Sequence, residues 1–454
     1  MKLCILYLLI FSNFIFSEAF EGYTLISGLG SSSDTYLIDN DANIINSWTY
    51  DNGVASVAYL TRDSLLIVPQ TAPGNDSPYG GLFKKIDWNN RIVWEWEMPE
   101  NICIPHHDIT ILPNGNILAI CEEVKTQEEA LNAGLTGING SLTLDMIVEI
   151  QPLHDNQANI VWKWHFWDHL VQNISPEYSS TFGRISDYPE LLNINVNGNG
   201  GNEGLKDWNH LNKISYNENF DQIVISARNM NEIYVIDHST TTEEAASHLG
   251  GNQNKGGDFL YRWGNPQNYD RGTAEDMIFG DQHGINWIPN GYPGSGNFLV
   301  YNNRHEIGPI ESAVLEFECI ADVNGSYYIE DGEPFGPSTY YWIYQNNFFS
   351  NRQSGAYRLA NGNTLITVSN EPESFFEVDM NGRIQWDPTF IIDCARAIKY
   401  GVNYLNNTNL GDVNYDQGLN ILDIVLIIDL ILNQLTNPIA DMNDDNIINI
   451  LDIL

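Results

Sequence analysis

The sequence contains few basic residues. Lysine and arginine total 20, aspartate and glutamate total 59, and the formal net charge is −39 at pH 7. Such a chain repels nucleic acid and anionic membranes, so we exclude both as partners. It also repels anionic substrates at long range, so a site that binds an anion must supply local cations of its own.

Cysteine is also scarce, with five residues in the chain. Cys4 lies in the N-terminal apolar segment, which leaves Cys103, Cys121, Cys319 and Cys394. An even number of cysteines in an exported chain predicts disulfide staples, and four cysteines allow three pairings, between which the sequence does not decide. No cysteine spacing resembles a metal site.

Long apolar runs are absent after the N-terminus, so the sequence predicts no membrane span. The chain opens MKLCILYLLIFSNFIFSEAF, in which Lys2 precedes a short apolar run and Ser17 and Ala19 are small residues suited to a cleavage site. Residues 1–19 are therefore predicted to be a signal peptide. We expect the mature protein to be secreted, periplasmic or held at the cell surface.

One pattern recurs from residue 20 to about residue 405: two apolar strands joined by Asn-Gly, then a strand ending in aspartate, a polar turn and a tryptophan. Clear copies are LPNGNILAICEE at 112 and LANGNTLITVSNEPESFFEVDMNGRIQW at 359. Asn-Gly between apolar runs predicts a β-hairpin with a type I′ turn. The units end at Trp48, Trp94, Trp162, Trp263, Trp342 and Trp386.

Six such units predict an all-β fold, a six-bladed β-propeller over residues 20–405. A two-sheet sandwich is the alternative, but it does not explain the regular tryptophans. The longest insertion, roughly residues 170–205, contains NINVNGNGGNEG and is predicted to be a mobile loop.

Residues 406–454 carry a different pattern. DVNYDQGLNILD and DMNDDNIINILD are two twelve-residue segments with oxygen-bearing side chains at positions 1, 3, 5, 9 and 12, as in calcium loops of the EF-hand type. The predicted calcium ligands are Asp412, Asn414, Asp416, Asn420, Asp423, Asp441, Asn443, Asp445, Asn449 and Asp452.

The two segments resemble dockerin repeats, which have aspartate at the twelfth position. The resemblance implies a small α-helical calcium-binding segment and a cohesin-like protein partner. Gln417 and Asn446 stand where the motif has glycine, which weakens the sharp turn. The sequence ends at Leu454, before a second helix, so we interpret the segment as truncated.

Equivalent positions of the propeller repeat carry histidine. Counting seven residues back from the turn asparagine or aspartate of five units gives His107, His210, His283, Ser354 and Ser56. Equivalent positions converge near the axis of a propeller. The sequence therefore predicts a site at the axis formed by the three histidines.

Asn212 and Arg228 follow His210 at spacings of two and eighteen residues. Three facing histidines also fit a catalytic zinc, which would make the protein a zinc hydrolase. Arg228 argues against this alternative, because a guanidinium beside a dication is unfavourable. An arginine with imidazoles suits a tetrahedral oxyanion instead.

At these residues the sequence resembles the bacterial arylsulfate sulfotransferases, exported six-bladed propellers that move a sulfuryl group between phenols without a nucleotide donor. The resemblance rests on His107, on His210 with Asn212 and Arg228, and on His283 in DQHGINWIPNG. It implies that His283 is the nucleophile, forms a sulfohistidine, and works with the other four residues by a ping-pong mechanism.

The resemblance also implies an aryl sulfate donor, a phenolic acceptor and no cofactor for catalysis. The calcium-type tail is not part of that family's core. An alternative function remains open: a non-catalytic propeller that binds sulfated polysaccharide or protein and is displayed through its tail.

The other histidines carry no such signal. Strand alternation predicts that His106 points away from His107. Six more are interpreted as structural: His154, His165, His169, His238, His248 and His305. Trp208 and Trp287 are candidates to stack on a phenol, although tryptophan in a blade is more often part of the core.

Overall fold

The computed structural model describes residues 18–29, 34–71, 79–99, 101–196, 206–305, 310–369, 374–390, 392–405, 411–413, 419–433, 438–440, 442 and 448–453. The predicted signal peptide lies outside these residues, apart from Glu18 and Ala19. The described residues form an all-β structure with six four-stranded antiparallel sheets, which is the arrangement of a six-bladed β-propeller.

The strands are named in chain order. Blade 1 contains β1 (Gly22–Gly28), β2 (Asp34–Ile38) and β3 (Ile44–Thr49); blade 2 contains β4 (Tyr59–Leu60), β5 (Leu66–Thr71), β6 (Gly81–Ile86) and β7 (Ile92–Glu97); blade 3 contains β8 (Ile104–Ile111), β9 (Ile117–Lys125), β10 (Leu142–Leu153) and β11 (Gln157–His165). A small sheet follows, with β12 (Leu170–Gln172), β13 (Thr181–Phe182) and β14 (Leu192–Asn193).

Blade 4 contains β15 (Leu211–Asn217), β16 (Gln222–Ala227), β17 (Glu232–Asp237) and β18 (Tyr261–Trp263); blade 5 contains β19 (His283–Trp287), β20 (Phe298–His305), β21 (Glu311–Phe317) and β22 (Trp342–Tyr344); blade 6 contains β23 (Gly355–Arg358), β24 (Thr364–Val368), β25 (Ser374–Val378) and β26 (Ile384–Trp386). The last strand, β27 (Cys394–Gly401), pairs with β1 and is the innermost strand of blade 1. The two ends of the propeller therefore share one sheet, which closes the ring.

All six predicted tryptophans lie on the outermost strands of the blades, and each indole donates a hydrogen bond to the next blade. The acceptors are Asp87 O for Trp48, Gln157 O for Trp94, Thr240 Oγ1 for Trp162, Pro337 O for Trp263, Met380 O for Trp342 and Asn40 O for Trp386. The last bond joins blade 6 to blade 1. The repeating tryptophan is thus an inter-blade clasp, which explains its regular spacing.

The hairpins at Asn-Gly are confirmed, but the predicted turn type is wrong. In the turn after β8, Gly115 N donates to Leu112 O, and Leu112 N donates to Asn116 O. Gly115 has φ of 81° whereas Asn114 is not in the positive-φ region. This is a type I turn followed by a left-handed glycine, and Pro113 suits its second position.

The insertion after blade 3 is more structured than predicted. Residues 170–196 contain the small parallel sheet β12–β14 and pack a buried cluster of Val171, Ile185, Leu191 and Tyr269. The prediction of a loop is therefore wrong for this part. Residues 197–205, with most of the glycine-rich stretch, lie outside the described residues.

The described residues contain three helices: α1 (Gln127–Asn132), α2 (Thr242–Ala245) and α3 (Ile421–Asn433). The last lies in the C-terminal segment, where Ile427 packs with Val413 and Ala440. No helix among the described residues is long and apolar enough to cross a membrane.

One disulfide joins Cys103 and Cys121, next to the β8–β9 hairpin. Cys319 and Cys394 are thiols. The prediction that all four cysteines form staples is therefore confirmed for one pair and wrong for the other.

Candidate functional site at the propeller axis

The five predicted site residues lie on adjacent blades. Four of them lie in or next to innermost strands, and the fifth, Arg228, follows β16. His107 is in β8, His210 and Asn212 flank the start of β15, and His283 begins β19. Strand β15 packs beside both β8 and β19. The His107 and His210 rings are 4.6 Å apart between centroids. We call these four residues, together with Arg228 after β16, the axial site.

The backbone is unusual at this end of the inner strands. His107 has φ of 56°, His210 of 52°, Asp207 of 63° and Asp281 of 54°. Non-glycine residues adopt this left-handed region at an energetic cost and are concentrated at functional sites. At His107 the strained residue lies within a break in the β8–β9 register between Pro105 and Ile109.

That bulge changes the side-chain alternation. His106 and His107 do not point apart, because their Nδ1 atoms are 2.7 Å from each other. The prediction for His106 is therefore wrong. His106 Nε2 is 2.9 Å from Oδ1 of Asp145, a carboxylate that accepts only, so Nε2 carries a proton.

Asp145, His106 and His107 form a chain of hydrogen bonds inside the protein. Burial opposes charge on His106, but the Asp145 carboxylate raises the pKa of His106 above its usual value. Burial, and then the field of His210, hold the pKa of His107 well below its usual value. When His106 is protonated, it donates from Nδ1 to Nδ1 of His107, which leaves His107 neutral with its proton on Nε2.

His283 is held in the opposite tautomer. Its Nδ1 is 2.8 Å from Asn303 Oδ1 and 2.9 Å from Asp281 O. Asn303 Nδ2 donates to Ser350 O, which fixes the orientation of its amide. Both groups facing Nδ1 are therefore acceptors, Nδ1 carries the proton, and the lone pair is on Nε2.

His283 is buried, with 3% of its surface exposed. Burial first, and then the positive fields of His210 and Arg228, lower its pKa to about 3, although the Asn303 hydrogen bond acts in the other direction. The ring is consequently neutral at any ordinary pH. A neutral imidazole with a free Nε2 is the nucleophilic form.

His210 and Arg228 form the accessible part of the axial site. Their side chains are 19% and 27% exposed. His210 Nδ1 is 2.6 Å from Oδ2 of Asp207, so Nδ1 carries the proton and Nε2 is the nitrogen left to exchange one. Arg228 Nη2 is 3.2 Å from Oδ1 of Asp281, whose backbone carbonyl also contacts His283.

Asn212, predicted as an anion donor, makes a contact with the segment that precedes His283. Its Nδ2 donates to Gln282 O at 2.7 Å, one residue before His283. The side chain is 1% exposed and links β15 to the start of β19. This contact makes Asn212 a positioning residue for His283.

Below the histidines, a buried ion cluster fills the channel. Asp108 Oδ1 is 2.8 Å from Arg396 Nη2, its Oδ2 is 2.8 Å from Lys213 Nζ, and Tyr59 donates to Oδ1 at 2.7 Å. These four side chains come from four different blades. The cluster ties the inner strands together beneath the site.

The described residues hold a candidate metal-binding group away from the axial histidines. Within the part of the chain that the structure describes, one group of three histidine and acidic side chains has its ligand atoms within 4.8 Å of one another, and it is His169, His248 and Asp258. Trp208 and Trp287 are 2% and 8% exposed, as expected for core residues.

Half of the predicted calcium ligands lie outside the described residues: Asn414, Asp416, Asp441, Asn443 and Asp445. The other five are Asp412, Asn420, Asp423, Asn449 and Asp452. The position-12 carboxylates behave alike: Asp423 accepts from Asn420 N at 2.9 Å, and Asp452 accepts from Asn449 N at 2.8 Å.

Comparison with known proteins places this site in a family. Residues 82–321, more than half of the chain, match the sequence model of Arylsulfotransferase (ASST). The protein belongs to the arylsulfotransferase family. All five residues of the axial site fall inside the matched region, as do Asp145 and Asn303. No curated protein matches this chain.

Solved structures with a similar shape are distant in sequence from this chain. A protein of unknown function from Bacteroides caccae is 11% identical, with a TM-score of 0.43, and the match covers 83% of this chain and 98% of that one. The periplasmic gluconolactonase of Pseudomonas aeruginosa is 10% identical, with a TM-score of 0.42 over 84% and 99% of the two chains. These scores are too low to support any inference about this chain.

Proposed function

We propose that the protein is an aryl-sulfate sulfotransferase that moves a sulfuryl group from an aryl sulfate to a phenol, without a nucleotide donor, through a sulfohistidine at His283. The observation that carries this proposal is the locked tautomer of His283. Its proton is held on Nδ1 by Asn303 Oδ1 and Asp281 O, and its pKa is lowered to about 3.

In the first half-reaction, the Nε2 lone pair of His283 attacks the sulfur of the aryl sulfate. The N–S bond forms, the bond between sulfur and the aryl oxygen breaks, and the phenolate leaves with the electron pair of that bond. His283 becomes an N-sulfonated imidazolium whose Nδ1 keeps its proton and donates it in a hydrogen bond to Asn303 Oδ1. The asparagine therefore stabilises the charge that develops during the transfer.

In the second half-reaction, a second phenol takes the place of the first. Its oxygen attacks the sulfur, the N–S bond breaks, and the electron pair returns to Nε2. His283 is regenerated in its original neutral tautomer. The net result is exchange of one phenol for another by covalent, ping-pong catalysis.

We propose His210 as the general acid and general base, because its Nδ1 is bonded to Asp207 and its Nε2 is left to exchange a proton. With Nδ1 bonded to Asp207, Nε2 of His210 can give a proton to the leaving phenolate and recover one from the incoming phenol. His210 is the more exposed of the axial histidines. This fits a group that must follow phenols as they enter and leave.

Charge on the migrating SO₃ unit requires fixed donors. Sulfuryl transfer should resemble phosphoryl transfer in its loose transition state, with negative charge spread over the equatorial oxygens. The Arg228 guanidinium and the Nε2–H of His107 are the groups assigned to these oxygens. They also supply the local cation that a chain of net charge −39 needs in order to bind an anion.

Initial-rate kinetics with a chromogenic aryl sulfate and a series of phenols test this proposal. Double-reciprocal plots at several phenol concentrations should be parallel, and His283→Ala should lack turnover. The matched control is His154→Ala, at an exposed histidine in the β10–β11 turn. Binding of the aryl sulfate without any turnover would favour the non-catalytic propeller.

We further propose that residues 406–454 bind calcium, that the segment docks on a cohesin-like protein, and that the protein is exported. The low exposure of Asp412, Asp423 and Asp452 supports the calcium proposal, since hard cations need carboxylates held together. The apolar side chains of Leu422, Val425 and Leu432 are more than half exposed, which supports a partner for α3. Isothermal titration with calcium tests the first step.

A further inference from the structure

A second cluster of chemically active side chains lies outside the axial site, where the insertion after blade 3 meets the long β17–β18 connection. It consists of His169, His248 and Asp258. Nδ1 of each histidine is 2.7 Å from the same carboxylate oxygen, Asp258 Oδ1. Neither histidine stands out in the sequence, and both were interpreted as structural.

The second nitrogen of His169 decides how this contact is to be understood. Nε2 of His169 is 2.8 Å from Ala245 O, and a carbonyl can only accept, so Nε2 carries a proton. In a neutral ring Nδ1 then has the lone pair, and it faces a carboxylate oxygen at 2.7 Å. Two acceptor atoms at that distance repel each other unless a cation lies between them, which is either a metal ion or the second proton of an imidazolium.

The surroundings of His169 are those of a preorganised ligand. Its ring is fully buried and stacks on Trp164 with an interplanar angle of 7°. Metal-binding histidines usually donate their other N–H to a carbonyl or carboxylate, which fixes the ring, and the Ala245 contact does this here. Gly257 lies so close that a Cβ there would meet His169 Nε2 at 2.6 Å.

The cluster also has an open side. His248 has 52% of its side chain exposed, and with Asp258 it lines a cavity of about 440 Å³. Glu190 and Lys255 line the same cavity, the first acidic and the second exposed and basic. Water has access to the fourth position of a tetrahedral ion on this side.

We propose that His169 Nδ1, His248 Nδ1 and Asp258 Oδ1 bind one divalent transition-metal ion of the zinc class, with water at the fourth position. Bonds of about 2.0–2.1 Å require these atoms to spread to roughly 3.3 Å, which needs the half-exposed His248 to move outward and the Asp258 carboxylate to turn away from the buried His169. The ion would join the insertion after blade 3 to the β17–β18 connection of blade 4. It is separate from the calcium ligands of the tail.

Metal content of the full-length protein tests this proposal. Protein loaded with zinc chloride in excess calcium, then dialysed, should retain about one zinc ion per chain by mass spectrometry of the metal. His248→Ala, at a half-exposed position that the fold tolerates, and Asp258→Asn should both lose it. His154→Ala should retain it, and so should His283→Ala, which tests the axial histidines as an alternative source.

Cobalt loading and hydrogen exchange give two further readouts. The cobalt-loaded protein should show the intense visible bands of a tetrahedral site, and these should be missing in His248→Ala. A zinc-selective chelator should increase amide exchange in residues 170–193 and 241–258 of the wild type and leave His248→Ala unchanged. Zinc retention by His248→Ala, or no retention by the wild type, would overturn the proposal.

Discussion

Nδ1 of His283 lies 2.8 Å from Oδ1 of Asn303, and this contact fixes which nitrogen of the histidine is free to react. Asn303 comes from β20, the strand next to the histidine, and its own amide is oriented by Ser350 O. In the proposed mechanism, the nucleophilic nitrogen is thus selected by a residue that need not touch the substrate.

Replacing Asn303 should weaken catalysis while the fold stays intact. Asn303→Ala removes the acceptor that stabilises the developing imidazolium, so kcat should fall by about 10²-fold.

Asn303→Asp keeps an acceptor but adds a negative charge, which should raise the pKa of His283. The acidic limb of the kcat/KM profile should therefore move to higher pH in Asn303→Asp, as measured against the wild type over the acid range. An unchanged profile would show that Asn303 does not influence the pKa of His283.

The Asp145–His106–His107 chain predicts a second pH-dependent variant. Asp145→Asn removes the carboxylate that raises the pKa of His106, so His106 becomes neutral and no longer donates to His107. His107 then turns its lone pair toward the substrate, and kcat should fall by about 10²-fold.

Since Asp145 also accepts from Leu211 N, His106→Asn serves as a second variant that leaves this backbone contact in place. The kcat of both variants should fall while the midpoint of thermal unfolding of His106→Asn changes little. Full activity in His106→Asn would show that the chain has no part in the reaction.

His238 predicts how stability depends on pH. It bridges Asp221 and Glu149 across blades 3 and 4, and although burial opposes its charge, these two carboxylates raise its pKa to about 9. Because the folded pKa lies above the unfolded value, this stabilisation is complete below about pH 6.5 and is lost as the pH rises through about 9.

His238→Gln should therefore lower the free energy of unfolding at pH 6 by on the order of 2–3 kcal/mol and cost little at pH 10. Denaturant unfolding at the two pH values measures the difference. An equal cost at both values would mean that packing against Trp162, and not charge, is what His238 contributes.

The tryptophan clasps predict a specific stability loss at the point of closure. Trp386→Phe keeps an aromatic ring but leaves Asn40 O without its indole donor, which should cost about 1–3 kcal/mol. Trp96→Phe is the control, since in the described part of the chain the Trp96 indole makes no inter-blade hydrogen bond. Equal losses in the two variants would show that ring volume alone matters.

Most of the fold prediction rested on the sequence repeat. Strand, turn and tryptophan recur locally, so six blades ending at Trp48, Trp94, Trp162, Trp263, Trp342 and Trp386 could be counted from the sequence. Closure of the ring by β27 could not be predicted in this way, because it pairs residues that are far apart in the sequence, such as Gly22 and Gly401. The ordered structure of the insertion after blade 3 was also not predicted, because Val171 and Leu191 are buried by Tyr269, which is far away in the sequence.

The axial site was predicted in part for the same reason. His107, His210 and His283 occupy equivalent repeat positions, which periodicity detects. Their partners Asp145 and Asn303 occupy positions that follow no repeat, so no pattern singled them out. His106 was misjudged because a residue with positive φ breaks strand alternation, and the HH pair in IPHHDIT was the one available signal.

The covalent step is tested most directly by mass spectrometry of the protein quenched during turnover with an aryl sulfate. We expect the mass of one added SO₃ on the peptide containing His283, and fragmentation should assign it to that residue. The added SO₃ should be lost when a phenol is added. Turnover without any adduct on His283, or an adduct on His107 or His210 instead, would contradict the account.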